Sequence, residues 1–512
     1  MFILNPKLLN DGVNVKKMFL FYPLAIVIAS FSLLYAQNIN RKGSSDRDKM
    51  LSQFHKISSN TILEYVKELA SNKYEGRLTG SSGYDAAADW AAALFKTWGL
   101  TPAGDNGSFL QKFPNPYTLV LDSGGLILNN PQTGGKIAYE YEKDFYPGAT
   151  SDSGEITGEV VFAGYGITAP ELNYDDYAGI DVKGKIVLLN PEIPASPDKD
   201  TETFMKWRPY SFHDYKMKNA SSHGAAGVLY NYQIVNPNCV FIKNQIHIEV
   251  GSRVVSDLFA GTGKTFSELI KKIQTEKQPA SFNTGKSVTM KCRTEFHPEG
   301  IGANVIAKIE GTDAALKDEP VIIGAHLDHL GMCDKLMPGA NDNASGVAVL
   351  LAAAEALSKC GLKFKRPIIF LLFGAEEQGV KGSEFYIKNL NIPAGKIKAF
   401  LNLESVGRGE GIGAGSGKNY PELFKVIESA NNEYVHRNLS ASMNSNLARP
   451  RQDAAHFLWA HIPTISFGTY GAPPVDVPVY HTTYDRPEIL TPEIMEDLGR
   501  IVFLSVIDLA SE

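Results

Sequence analysis

Five short polar stretches of this chain hold the side chains best suited to binding a metal ion or moving a proton: His326-Leu327-Asp328-His329, Asn341-Asp342-Asn343, Glu376-Glu377, Glu404 and His481. Two histidines (His326, His481) and three carboxylates (Asp342, Glu377, Glu404) are what a pair of zinc ions needs, given one bridging carboxylate and a shared water. In the His326-x-Asp328 step the histidine can ligate while the aspartate orients the site from behind. The adjacent Glu376 and Glu377 side chains diverge, so one carboxylate can bind metal while the other takes a proton from water. Each stretch alone has a plainer reading. A histidine near an aspartate is common on surfaces, and a Glu-Glu pair suits the start of a helix. Asp342 can cap a helix beginning near Ser345, and Glu404 can be half of a buried ion pair. Jointly these readings are poor, because three of the stretches share one kind of position and the other two lie in loops.

That position is the end of a strand. Val321–Ala325, Ile368–Phe373 and Lys398–Leu403 are short apolar runs that lead into His326, Glu376-Glu377 and Glu404. Asp342 lies in the glycine-bounded loop from Gly339 to Gly346, just before a helix, and His481 lies in a later loop. Thr464–Phe467 reads as a fourth strand, and Ser345–Lys359, Gly382–Asn389, Pro421–Val435 and Pro492–Leu509 read as helices. Such alternation predicts an α/β fold, a mostly parallel central sheet with helices on both faces. Ligands of open parallel sheets bind at the carboxyl ends of the strands. His329 and Asp485 are expected to support the site by hydrogen bonds, while His436, His456 and His461 belong to no motif.

The rest of the chain divides by texture. Residues 60–100 read as two helices flanking the loop Glu75-Gly76-Arg77-Leu78-Thr79-Gly80, the second ended by Gly99. From about 131 to 284 short strands and glycine turns dominate, as in Gly164-Tyr165-Gly166 and Lys183-Gly184-Lys185. The expected layout is a leader over 1–36, an N-terminal part of the catalytic unit over 37–130, a β-rich insert over 131–284 and the main catalytic unit over 285–512. The leader reading rests on Lys16-Lys17, the apolar run Met18–Leu34 and the Ala36-Gln37 step, an export-signal pattern whose start is either Met1 or Met18. Export to a periplasm or the cell exterior follows, with an uncleaved anchor as the alternative and no membrane span after cleavage.

With 512 residues, 44% of them hydrophobic, the chain is long enough for two cores. A formal net charge of −6 gives no basic face, so nucleic acid is not an expected partner. Cys239, Cys292, Cys333 and Cys360 form no CxxC pair, which excludes a zinc ribbon and leaves open one or two disulfides or buried thiols.

The ordered set His326–Gly331, Gly339–Gly346 and Phe373–Gly379 resembles the signature of the bacterial two-zinc aminopeptidase family, whose relatives include glutamate carboxypeptidase and the transferrin receptor. Residues 131–284 are similar to a protease-associated domain, and Glu75–Gly80 resembles the family's N-terminal segment. The resemblance implies a secreted exopeptidase acting on peptides. It also implies one zinc on His326, Asp342 and Glu404, a second on Asp342, Glu377 and His481, Glu376 as general base, and Asp328 as orienter. Two positions depart from the family pattern: Glu404 stands where aspartate is usual, and Gln452-Asp453-Ala454 replaces Ser-Asp-His. Alternatives within reach are a carboxypeptidase of the glutamate carboxypeptidase type, with Arg449 and Arg451 as carboxylate binders, a one-zinc glutaminyl cyclase, and a receptor-like relative without catalysis.

Overall fold

The computed structural model describes residues 45–129, 135–197, 199–443 and 452–512. The leader through Ala36 lies outside these residues, as do Arg449 and Arg451.

Strict alternation along the apolar runs builds the first core. In strand Val321–His326, Val321, Ile323 and Ala325 point to one face while Ile322 points to the other; Phe370 and Leu372 oppose Leu371 and Phe373 in the same way. One face is covered by helices Ser59–Leu69, Ser345–Lys359 and Pro492–Ser511, the other by Lys381–Lys388 and Ala454–Trp459. Helix Ser345–Lys359 is buried almost all round, because it lies under both the 59–69 and 492–511 helices. That explains its alanine-rich composition: small side chains let the neighbouring elements approach.

The central sheet is mixed. Its middle strands, Ile368–Phe373, Val321–His326, Ala399–Leu403 and Thr464–Tyr470, are parallel as expected. Towards the margins Ile301–Ile309 runs antiparallel to Ile368–Phe373, and Gly411–Gly415 antiparallel to Thr464–Tyr470. For two strands consecutive in the chain to run the same way in one sheet, the connection must be a long crossover, usually a helix. No helix lies between Ile301–Ile309 and Val321–His326, or between Ala399–Leu403 and Gly411–Gly415.

A second, eight-stranded sheet has its own apolar layers on both sides, one around Val160, Leu188 and Ile248, the other around Val161, Val187 and Val228. It reaches past both ends of the 131–284 stretch. Strand Gly125–Asn129 pairs with Phe282–Cys292, and Leu126, Leu128, Val288 and Met290 all enter the same core. The four cysteines are free, three of them buried. Among the described residues no helix is long and apolar enough to cross a membrane.

Candidate metal centre

The strands Val321–His326, Ile368–Phe373 and Ala399–Leu403 end side by side, and the side chains beyond them converge. His326 Nδ1 donates to the Asp328 carbonyl oxygen at 3.2 Å. Its Nε2 therefore turns a lone pair towards Glu404 Oε1 at 3.2 Å and Asp342 Oδ1 at 3.3 Å. His481 repeats the arrangement from the opposite side. Its Nδ1 donates to the Val235 carbonyl at 3.0 Å, and its Nε2 faces Glu377 Oε2 at 2.9 Å and Asp342 Oδ2 at 3.4 Å. Asp342 thus stands between the two imidazoles, one oxygen to each.

A lone pair aimed at two carboxylates is repulsive unless a positive charge lies between them. In the metal-free protein protons meet that need. Burial alone would lower both histidines, but Glu404 and Asp342 raise His326 well above the usual range, and Glu377 and Asp342 push His481 up to about 10. Metal ions satisfy the same geometry, and Glu404 Oε2 is buried with no hydrogen-bond partner among the described residues. Groups of ligating atoms within 4.8 Å of one another comprise His326, Asp342 and Glu404; His326, Glu376 and Glu377; and His329, Asp342 and Glu377. The donor set fits divalent cations that accept nitrogen and oxygen.

The supporting contacts are partly as expected and partly new. Asp485 accepts from the backbone N–H of Asn341 at 2.8 Å and of Asp342 at 2.9 Å, which fixes the Asp342 loop. Asn343 ties that loop to the next strand end by donating to the Leu403 carbonyl and accepting from Ser405 N. His329 Nδ1 lies 2.8 Å from Glu377 Oε1. Asp328 does more than stand behind His326. Its two oxygens accept the N–H groups of Glu376 and Glu377 at 3.2 Å each, so it sets the turn that aims both glutamates. Burial pushes its carboxyl up to about 7. The Glu376 carboxyl is pushed well above the usual range by burial and by Glu404 and Glu377, whereas Glu377, although buried, is drawn down to about 2 by His481 and His329. Asp453 is fully buried beside the same cluster and is raised to about 8 by burial.

The loop between strands Gly227–Tyr230 and Ile246–Val250 of the second sheet reaches this centre. Val235 brackets His481, accepting from its ring and donating its own N–H to the His481 carbonyl at 3.2 Å. A main-chain acceptor leaves no side-chain trace, so no residue type in the sequence points to Val235. Nearby, Glu142 accepts from Thr483 at 2.5 Å and pairs with Lys335. A cleft of about 360 Å³ opens between the two units over Glu376, Glu377 and His481, lined by Trp459 and Tyr480 on one side and Phe212, Tyr232, Asn236 and Asn238 on the other.

The pattern of peptidase family M28 matches residues 304–506. An aminopeptidase of Pseudomonas aeruginosa is 28% identical over 358 residues, 68% of this chain and 58% of that protein, so the chain spans 58% of the length of the curated relatives it matches first. The leupeptin-inactivating enzyme 1 of Streptomyces exfoliatus is 38% identical over 109 residues, 21% of this chain and 23% of that one. In fold, the chain is similar to an aminopeptidase from Aneurinibacillus sp. strain AM-1 (TM-score 0.61, 21% identity, 90% of this chain and 95% of that). It is similar also to a zinc aminopeptidase from Bacillus subtilis (TM-score 0.60, 20% identity, 89% and 96%).

Proposed function

Because residues 304–506 match the pattern of peptidase family M28, we propose that this chain is an exported aminopeptidase that uses two zinc ions to hydrolyse the N-terminal bond of peptides. The observation that carries the reading is Asp342 set between His326 and His481, each imidazole facing a further carboxylate. His326, Asp342 and Glu404 would hold one ion, and Asp342, Glu377 and His481 the other. Zinc held there supplies Lewis acidity, polarising a carbonyl and making water acidic enough to lose a proton near neutral pH. Glu376, free of any ligand assignment and lining the cleft, takes the proton of the attacking water on a carboxylate oxygen and returns it to the leaving amine. Asp328 holds Glu376 in place through its backbone N–H. The 131–284 insert, read as a protease-associated domain, walls the cleft so that an extended peptide enters from one side.

The aminopeptidases named among the relatives and neighbours support the reaction class, and the Ala36-Gln37 step supports export. The test is a panel of aminoacyl and acyl-dipeptide substrates with and without a strong chelator. Hydrolysis of the aminoacyl substrates, lost on chelation, is expected. Hydrolysis of acyl-dipeptides alone would replace the reading with a carboxypeptidase, and mature protein beginning elsewhere than Gln37 would remove the cleavage site assigned here.

A further inference from the structure

The Glu75–Gly80 segment is distant in sequence from every ligand candidate, yet it touches three of the loops that carry them. Arg77 is fully buried, and among the described residues it forms no ion pair with a carboxylate. Its guanidinium donates to four backbone carbonyls: Leu69 at 2.6 Å, and Leu327, Pro338 and Gly339 at 2.9 Å each. Leu327 lies between His326 and Asp328, and Gly339 opens the loop that carries Asp342. The Arg77 carbonyl accepts from His329 N at 3.1 Å. Two residues on, Thr79 Oγ1 accepts from Ala375 N at 2.7 Å, immediately before Glu376 and Glu377. The turn is built tightly. Glu75, Gly76 and Arg77 all have positive φ, and a Cβ on Gly76 would lie 2.2 Å from the Gly331 carbonyl oxygen. Left-handed non-glycine residues cost free energy and persist where the surroundings over-determine them.

A planar donor with five N–H groups suits this task, since it can join carbonyls from separate segments at fixed angles. Burying a charge among neutral carbonyls is costly, and the four bonds offset that cost only together. From these contacts we propose that Arg77, with Thr79, is a positioning residue of the metal centre, setting the separation of the His326, Asp342 and Glu376-Glu377 loops before any metal arrives. The inference rests on the zinc reading given above.

The experiment titrates metal-free full-length protein with zinc against a chromophoric chelator and, in parallel, follows thermal unfolding with and without zinc. Wild type, Arg77→Lys and Thr79→Val are compared. Lysine keeps the charge but loses the fork, and valine keeps the shape but loses the acceptor. Groups behind metal ligands typically change affinity by about 10- to 100-fold, so Arg77→Lys that unfolds cooperatively should bind zinc weaker by that order and show a smaller zinc-induced rise in Tm. Thr79→Val should weaken zinc in the same direction, and it decides the matter if Arg77→Lys does not fold. Variants that are less stable without metal, yet bind zinc as tightly as wild type, would overturn the proposal and leave a structural staple. Failure of wild type to bind zinc would instead overturn the zinc reading itself.

Discussion

Glu376 and Glu377 are neighbours in the chain and line the same cleft, but they differ in their partners. Glu377 is held by His329 and His481, while Glu376 faces the cleft with its carboxylate raised by burial. Glu376→Gln should therefore lower kcat by about 100- to 10,000-fold, the usual span of acid–base catalysis, with zinc content and Tm near wild type. Glu377→Gln should lose metal at one site, since a neutral amide ligates zinc poorly. Elemental analysis beside steady-state kinetics separates the two, and swapped phenotypes would reverse the assignment. The ligand candidates were legible because each carries its chemistry in its own side chain and stands directly after an apolar run. Arg77 and Val235 were not legible as contacts of the site. Arg77 reaches main-chain carbonyls from Leu69 to Gly339, Val235 meets the His481 ring through its own carbonyl, and a carbonyl has no residue type.

At the scale of elements, strands and helices followed from periodicity, with Ile368–Phe373 and Ser345–Lys359 matching residue for residue. The antiparallel margins did not, because strand direction depends on how a connection returns rather than on the strand's own residues. The extent of the second sheet was missed for a related reason: Gly125–Asn129 finds its partner at Ser287–Lys291, far along the chain. Its seam with the catalytic unit predicts a coupling. Glu142 grips Thr483, two residues beyond His481. Glu142→Ala should weaken zinc at the His481 site by up to about 10-fold while leaving the other site unchanged. A competition titration resolving two affinities would show it, and two unchanged affinities would make the seam a passive contact.

Across the whole molecule, the centre gathers more buried carboxylates than imidazoles, with Asp328, Asp342, Glu376, Glu377, Asp453 and Asp485 all buried around His326, His329 and His481. Cations that bind the folded chain alone stabilise it by mass action, by about 4 kcal/mol per site at a thousand times the dissociation constant. Chelation should thus lower Tm by several degrees, and calorimetry at fixed pH should show full recovery on returning zinc. Binding should also release protons, since zinc replaces those held by His326 and His481. An unbuffered titration would detect them.

If one shared carboxylate organises two zinc ions around a base, metal and turnover counted on the same samples must rise together. Zinc is returned stepwise to chelated protein, with bound zinc per chain read by elemental analysis and hydrolysis of an aminoacyl substrate read on the same samples. About two zinc ions per chain at saturation are expected, from Asp342 facing both histidines, with full activity reached only as the second site fills. Full activity in protein stripped of metal, or saturation at a single ion with full turnover, would contradict the account.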